Sequence, residues 1–133
     1  MEKMVYQKNR TIKTLASGFY YGYLYYIMSL GTHPTAYIKI PETHPLYKIK
    51  EYDDIPLDVH GGVTYLNDYL CTQHGKIEGK FAGWDYAHVG DYCGFMMEPL
   101  GIDWENEKKW TTQEILHDVK DACYQLKKLE ENK

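Results

Sequence analysis

Aromatic and β-branched residues cluster early in the chain, and their pattern predicts two neighbouring strands. The segment Phe19–Met28 reads Phe-Tyr-Tyr-Gly-Tyr-Leu-Tyr-Tyr-Ile-Met, a composition typical of a β-strand. Turn-forming residues follow at Gly31–Thr35. The next segment, Ala36–Ile40, alternates so that Ala36, Ile38 and Ile40 share one face of a second strand. Together the two segments predict an antiparallel hairpin, preceded by a leading strand or a frayed arm over residues 1–15.

The middle of the chain is predicted to contain a loop and two short strands. Pro41, Pro45 and Pro56 bracket an acidic stretch, so residues 41–57 are expected to form an ordered loop at the edge of the sheet. The strand candidates are Asp58–Tyr65 and Lys80–Tyr86. The polar, glycine-containing residues between them, 66–79, predict an excursion from the sheet or a lid.

The C-terminal segment carries the clearest helical pattern. Thr111 and Glu114 have the spacing of a capping box, in which each side chain accepts a hydrogen bond from the other residue's backbone. The apolar residues that follow recur on one face of a helix and form a stripe: Ile115, Val119, Ala122, Leu126 and Leu129. This stripe is expected to pack on the sheet, because a single sheet must cover its apolar side. The pattern predicts the α+β class over a single domain, residues 1–133, with a small, mostly antiparallel β-sheet and a C-terminal helix packed on one face.

Composition and charge exclude several classes of protein. The 133 residues are 44% hydrophobic and 26% charged, which is typical of a globular domain and not of a disordered tail. The formal net charge of −4 argues against a binder of duplex nucleic acid, which needs a basic face. The most apolar run, Phe19–Leu30, is shorter than the roughly 20 residues of a membrane span. The N-terminus lacks the apolar run of a signal peptide, and the three cysteines form no Cys-x-x-Cys pair, so the expected location is the cytoplasm.

Tyrosine is the enriched residue type, with 14 copies in the chain. A tyrosine ring combines an apolar face with a hydrogen-bonding tip, so this enrichment fits an amphipathic sheet surface or a wall on which a ligand stacks. Ligand pockets often form where such surfaces meet, and we therefore expect a homo-oligomer.

The segment His60-Gly61-Gly62-Val63-Thr64-Tyr65 is the first candidate binding element. Paired glycines permit positive φ and bring backbone N–H groups close to an anion, while the imidazole before them and the hydroxyl after them add hydrogen-bonding groups. The alternative interpretation is structural. In that case the glycines form a β-bulge or a tight corner, and His60 only supports the backbone through hydrogen bonds.

The segment Gly83–Tyr92 is the second candidate, because it places two carboxylates, one imidazole and three aromatic rings close together: Asp85, Asp91, His88, Trp84, Tyr86 and Tyr92. If a turn follows the strand, the acidic residues and the histidine converge. Such groups can serve general acid–base chemistry, a metal or the hydroxyls of a ribose. In the structural alternative the carboxylates cap turns, and Trp84 and Tyr92 pack in the core.

Metal and cofactor motifs are weak or missing in the sequence. His60, Asp85, His88 and Asp91 could supply metal ligands, but no His-x-x-x-His or similar spacing specifies a site. Phosphate-loop, dinucleotide and serine-elbow motifs do not occur. The sequence therefore predicts no metal and no cofactor.

Four segments in one order resemble a family of small bacteriophage and mobile-element proteins of unknown function: Ile40–Tyr47, Tyr52–Asp54, Val59–Tyr65 and Gly83–Asp91. The resemblance runs from Gly18 to Leu129. The chain departs from it where Gly83-Trp84-Asp85-Tyr86 stands in place of a common Gly-Phe-Asp-Cys, a change from a small to an aromatic side chain that could reshape a pocket. The resemblance implies a bacteriophage setting, in which small accessory proteins often counter host immunity.

The leading functional hypothesis is an anti-defence protein that sequesters a nucleotide-derived second messenger, a cyclic nucleotide or an ADP-ribose-type signal. Stacking a base is worth about 1–3 kcal/mol, and the expected aromatic residues are Tyr65, Trp84, Tyr86 and Tyr92. The backbone of Gly61 and Gly62, with His60, would hold phosphate, and Asp85 or Asp91 would accept hydrogen bonds from ribose hydroxyls. Thr64 and His88 complete the predicted ligand contacts.

Two alternatives remain open at this point. The first is a phosphodiesterase or glycosidic hydrolase that uses the same pocket, with His60 or His88 as general acid or base and Asp85 or Asp91 orienting it. The second is a protein–protein inhibitor of a host defence factor, which would use the tyrosine-rich hairpin around Tyr20, Tyr23 and Tyr26 as its contact face.

Overall fold

The computed structural model describes residues 12–30, 33–86 and 110–132, which fold into one antiparallel sheet and one C-terminal helix. The strands are β1 (Lys13–Tyr20), β2 (Tyr23–Ser29), β3 (Pro34–Lys39), β4 (Tyr65–Thr72) and β5 (Gly75–Asp85), and the helix is α1 (Thr112–Glu131). The five strands are hydrogen-bonded in the order β1-β2-β3-β5-β4, and every neighbouring pair is antiparallel. The predicted α+β class is confirmed.

The predicted N-terminal hairpin is present, but its first strand is shorter than expected. β2 and β3 pair antiparallel, with Tyr25 opposite Ile38. The prediction of one strand over Phe19–Met28 is wrong, because the chain reverses at Tyr21 and Gly22, which have φ values of 53° and 84°. Two successive positive φ values are what a tight two-residue hairpin turn requires. The run of aromatic residues conceals this turn, so β1 and β2 read as one strand.

The central strands also differ from the prediction. Residues 58–64 are not a strand, because the chain turns at His60 and Gly61 and the Gly62 N–H donates to the Val59 carbonyl at 2.9 Å. Residues 66–79 are not an excursion or a lid, since they form most of the β4–β5 hairpin. β4 is an edge strand with several exposed polar residues, which explains its loop-like composition. The Lys80–Tyr86 strand is confirmed as the end of the longer β5.

Residues 41–57 form the predicted ordered loop, with two single 3-10 turns at Pro45–Lys48 and Tyr52–Asp54. The buried His44 ring fixes its first half, since Nδ1 accepts from the Leu46 N–H at 3.0 Å and Nε2 lies 2.8 Å from the Leu126 carbonyl of α1. Because Nδ1 is the acceptor, Nε2 carries the proton and donates to that carbonyl. This histidine is a structural residue that ties the loop to the helix.

The helix begins at the predicted capping box. The Thr111 hydroxyl accepts from the Glu114 N–H at 3.1 Å, and the Glu114 carboxylate accepts from the Thr111 N–H at 3.0 Å. The predicted stripe faces the sheet: Ile115, Val119, Ala122 and Leu126 are buried, and Leu129 is partly buried. No helix in the described ranges is both long enough and apolar enough to cross a membrane.

Strand alternation gives the sheet two apolar faces. The face under α1 contains the predicted Ala36, Ile38 and Ile40. The opposite face contains Tyr37 and Phe81 in a second, smaller cluster. Functional side chains are therefore divided between the two faces by whether they occupy odd or even positions on a strand.

Candidate functional site

The two predicted binding segments lie side by side. The Thr64 N–H donates to the Gly83 carbonyl at 2.9 Å, and Tyr65 pairs with Gly83 across the β4–β5 ladder. The His60 ring stacks on the Tyr86 ring, with centroids 4.8 Å apart and an angle of 7° between the ring planes. The fold thus brings two stretches together that are separated in the sequence.

The alternation of β5 then separates their side chains into two pockets. Trp84 and Tyr86 belong to the cluster under α1. Asp85, between them, points to the opposite face, where Thr35 is its partner across the β3–β5 ladder. We name the two resulting cavities the Asp85 pocket, of about 150 Å³, and the His60 pocket, of about 270 Å³.

The Asp85 pocket is lined by His33, Thr35, Tyr37, Thr64, Tyr65 and Asp85, together with Leu30 and Trp84. The Thr64 hydroxyl donates to the Asp85 carboxylate over a long 3.4 Å contact. The Thr35 side chain is only 3% exposed, and its hydroxyl finds no hydrogen-bond partner among the described residues. An orphaned buried hydroxyl beside a carboxylate is an unusual combination, since buried polar groups are nearly always paired.

Two tyrosines form the aromatic wall of the Asp85 pocket. The Tyr37 and Tyr65 rings meet edge to face, with centroids 5.0 Å apart, and the Tyr65 hydroxyl donates to the Tyr69 carbonyl at 2.5 Å. Burial raises the pKa of Tyr65 to about 12. Burial also raises the pKa of Tyr37, and the neighbouring Thr35 side chain offsets part of that rise. Both phenols therefore stay neutral at physiological pH.

The Tyr37 ring packs over the backbone at Gly83, where there is no side chain. A Cβ at position 83 would lie 2.7 Å from the Ala36 carbonyl oxygen and 2.8 Å from Cε1 of Tyr37. No side chain fits there while the tyrosine ring covers the backbone. The glycine of the second segment is therefore a packing requirement of the pocket wall.

The His60 pocket lies beside the helix and combines aromatic rings with carboxylates. Trp110 contacts both the His60 and the Tyr86 ring, with centroids 4.8 and 4.9 Å away. The Trp84 Nε1–H donates to the Tyr86 hydroxyl at 3.0 Å, and that hydroxyl donates to Asp118 at 2.6 Å. This chain of hydrogen bonds satisfies the buried indole and phenol, which is a structural role.

The acidic side chains of the His60 pocket are Asp58, Asp118 and Asp121. Gln125 holds two of these residues, because its amide bonds the Asp58 backbone at 2.8 and 2.9 Å and the Asp121 carboxylate at 2.8 Å. Across ranges 12–30, 33–86 and 110–132, no three histidine, cysteine or acidic side chains are grouped so that they could hold a metal ion.

The predicted ligand contacts are distributed unevenly between the pockets. Thr64, Tyr65 and Asp85 line the Asp85 pocket, whereas His60 lines the other. Trp84 and Tyr86 are 1% and 0% exposed, so neither ring offers a face to a base unless its neighbours move. The predicted residues His88, Asp91 and Tyr92 lie outside the described residues.

The paired glycines adopt the positive φ that their sequence predicts, 71° at Gly61 and 82° at Gly62. The Gly62 N–H is engaged by the Val59 carbonyl, as in a β-turn, so it closes the turn instead of pointing at an anion. The interpretation of this segment as a tight corner therefore explains the role of the Gly62 N–H.

The tyrosines predicted as a protein contact face are mostly covered. Tyr23 is buried, while Tyr20 and Tyr26 are partly buried. The exposed apolar residues of this hairpin are instead Leu15, Phe19 and Tyr21.

Several residues of the two pockets were not predicted from the sequence. Tyr37 alternates with the predicted inward-facing residues, so its place on the opposite face follows from the same strand pattern. Thr35 was predicted to belong to the turn, but β3 already begins at Pro34 and places Thr35 on the same face as Tyr37. Asp118 and Trp110 adjoin the helical stripe, and no local signal links them to His60. No protein-family model, curated protein or solved structure matches this chain.

Proposed function

We propose that this protein binds a nucleotide-derived signal through the Asp85 pocket and sequesters it without turnover. The observation that carries the proposal is the Thr35 hydroxyl, which is buried without a partner next to the Thr64–Asp85 pair. A buried hydroxyl without a partner costs about 1–3 kcal/mol, which a ligand hydroxyl would recover. The site therefore favours a ligand with several hydroxyl groups.

A ribose is the fragment of a nucleotide that suits this pocket best. The volume of about 150 Å³ equals that of roughly five water molecules, which holds a sugar ring but not a sugar and a base together. The Asp85 carboxylate is an acceptor for a vicinal diol, and Thr35 can both donate and accept. Tyr65, which is only partly buried, offers an aromatic surface for the attached base.

The separation of His60 from Asp85 argues against a hydrolase that uses this pair of residues. The hydrolase hypothesis needs an imidazole and a carboxylate on the same reacting group, within hydrogen-bond reach. These two side chains line different pockets on opposite faces of the sheet. Consistent with the sequence resemblance, we propose that the protein acts as an anti-defence protein of a bacteriophage in the cytoplasm of the host cell.

The direct test is to incubate the protein with a panel of cyclic nucleotides and ADP-ribose-type compounds and to analyse the filtrate. We expect one nucleotide to be depleted and then released intact when the retained protein is denatured by heat. A new product mass would show turnover and contradict sequestration. If every nucleotide passed through unchanged, the proposed function would be wrong.

Thr35→Val is expected to abolish ligand binding while leaving stability unchanged or raising it by up to about 1 kcal/mol, because it replaces an unpaired hydroxyl with a methyl group of the same shape. Thr35→Ser keeps the hydroxyl and is the matched control for binding. Urea unfolding and equilibrium dialysis of both variants measure the two effects. A large loss of stability in Thr35→Val would show that the hydroxyl is hydrogen-bonded and would remove the main support for the site.

A further inference from the structure

A third cavity, of about 680 Å³, opens between the β1–β2 turn, the end of β3 and loop 41–57. We name it the Lys39 cavity; its charged lining residues are Lys39, Lys80, Glu42 and Glu78, and its apolar wall includes Phe19, Leu24 and Tyr47. It is larger than the Asp85 and His60 pockets and lies within the range of about 300–1,000 Å³ that small-molecule sites occupy. None of the residues considered above as ligand contacts lines it.

The Lys39 side chain packs over β5 at Gly79, where the strand has no side chain. Gly79 has a φ of 131°, and a Cβ there would lie 3.1 Å from Nζ and 3.2 Å from Cδ of Lys39. The lysine stem therefore crosses the strand directly over this glycine. The ion pairs formed within the described residues join lysines and glutamates of α1, so Lys39 is not neutralised by any of them.

On the face under α1, opposite to Lys39, the cavity is lined by Lys80. Its side chain is only 9% exposed, and Nζ donates to the Tyr47 carbonyl at 2.6 Å and to the Ile49 carbonyl. An ammonium has three donors, so these two carbonyls leave one unused. Carbonyl dipoles compensate a buried charge less completely than an anion does, because a nearby charge of opposite sign adds a direct Coulomb attraction.

The wall of the Lys39 cavity presents aromatic and aliphatic surface beside these charges. Phe19 is 72% exposed, which is unusual for a ring of that size. The Lys80 Nζ lies over the Tyr47 ring, 5.4 Å from the ring centroid. Glu42 and Glu78 add negative charge at the same cavity. Their repulsion disfavours a polyanion, whereas a ligand with one anionic group can approach Lys39.

We propose that the Lys39 cavity binds a small aromatic anion, whose negative group contacts Lys39 and whose ring packs against Phe19. This site is independent of the proposed function. Lys39 and Thr35 lie four residues apart on the same face of β3, which separates the two sites by about 13 Å at 3.3 Å per residue.

Phenyl phosphate is a suitable probe, because it combines an aromatic ring with an anion and contains no ribose. Its dissociation constant is measured by NMR titration of the full chain, beside titrations with inorganic phosphate and with phenol. Lys39→Gln is expected to weaken phenyl phosphate binding about tenfold, as the loss of one charge-assisted hydrogen bond does. Phe19→Ala is expected to weaken it several-fold, and inorganic phosphate and phenol should each bind more weakly than phenyl phosphate.

Lys48→Gln is the charge-matched control, because Lys48 is exposed and does not line the cavity. It should leave binding unchanged, as should Thr35→Val in the Asp85 pocket. Lys39 is preferred over Lys80 for the test, since Lys80 also holds loop 41–57. Absence of saturable binding, equal affinity for inorganic phosphate, or an unchanged affinity in Lys39→Gln would each overturn the proposal. None of these outcomes would bear on nucleotide binding at the Asp85 pocket.

Discussion

Gly83→Ala is expected to lower the free energy of unfolding by about 3 kcal/mol, the upper end of the range for overpacked substitutions. The new methyl group would clash with Cδ1 of Tyr37, and it would lie 2.7 Å from the Ala36 carbonyl oxygen and 2.8 Å from Cε1 of Tyr37. The carbonyl belongs to the hydrogen-bonded β3–β5 ladder and cannot move away without breaking it. The tyrosine cannot move freely either, because it is buried and packed against Tyr65.

Gly18→Ala is the matched control for this substitution. Its Cβ would also approach a tyrosine, but the nearest atom is the Tyr25 hydroxyl oxygen, at 3.0 Å, which is the far end of a flexible side chain. We expect a loss of less than about 1 kcal/mol there. Urea unfolding of both variants gives the comparison. Equal losses at the two positions would show that the contact with the β3 backbone does not decide the effect.

Raising the pH above about 9 is expected to destabilise the fold steeply, because several buried acidic groups must keep their protons. Burial raises the pKa of the Cys123 thiol from 9.0 to about 12 and that of the Tyr65 phenol from 10.0 to about 12. Burial likewise raises the pKa values of Tyr37 and Tyr23, and for Tyr23 the neighbouring Glu130 carboxylate adds to the effect.

The sign follows from proton binding. Above pH 9 to 10 the unfolded chain loses these protons, while the folded chain retains them until about pH 12. The folded state then binds more protons than the unfolded state, so the free energy of unfolding falls as the pH rises. The contribution is fully present below pH 9 and is lost progressively through that window.

Urea unfolding at a series of pH values, together with tyrosinate absorbance, measures this effect. Tyr37→Phe removes one buried phenol, so its stability should decline less steeply with pH than that of the unmodified chain. Tyr124→Phe removes an exposed phenol and is the control. A constant free energy of unfolding between about pH 8 and 11 would mean that the phenols titrate freely in the folded state.

Local signals made the helix predictable, whereas the strands depended on turns that the sequence hides. Thr111 and Glu114 mark the start of α1 by chemistry that acts within one turn, so the prediction needed no knowledge of the tertiary fold. Gly22 lies among aromatic residues, and nothing nearby indicates that Tyr21 beside it also adopts positive φ. The polar residues of β4 resemble a loop because that strand forms an edge of the sheet, and an edge position is decided by distant pairing.

The candidate site was predictable as a region but not as an arrangement. The residue types of 60–65 and 83–86 indicated the correct neighbourhood, since the two segments do contact each other. Their division between two faces follows from the alternation along β5, which places Asp85 opposite to its neighbours. Tyr37 could have been added from its position on the predicted strand, whereas Thr35 was assigned to the turn before it. The Lys39 cavity could not, because it joins a turn, a loop and two strands that only the tertiary fold brings together.

The strand order has a consequence for the route by which this chain folds. β1–β2, β2–β3 and β4–β5 are pairs of consecutive strands, whereas β3–β5 joins residues far apart in sequence, such as Tyr37 and Gly83. To pair β3 with β5, the long intervening chain must close into a loop, which costs conformational entropy before the contacts across this β3–β5 seam can offset that cost. We expect substitutions at the β3–β5 seam to slow folding and those within the β1–β2 hairpin mainly to speed unfolding, as stopped-flow measurements of the two rates would show. The pocket wall built on Gly83 and Tyr37 would then form at the step that limits the rate of folding.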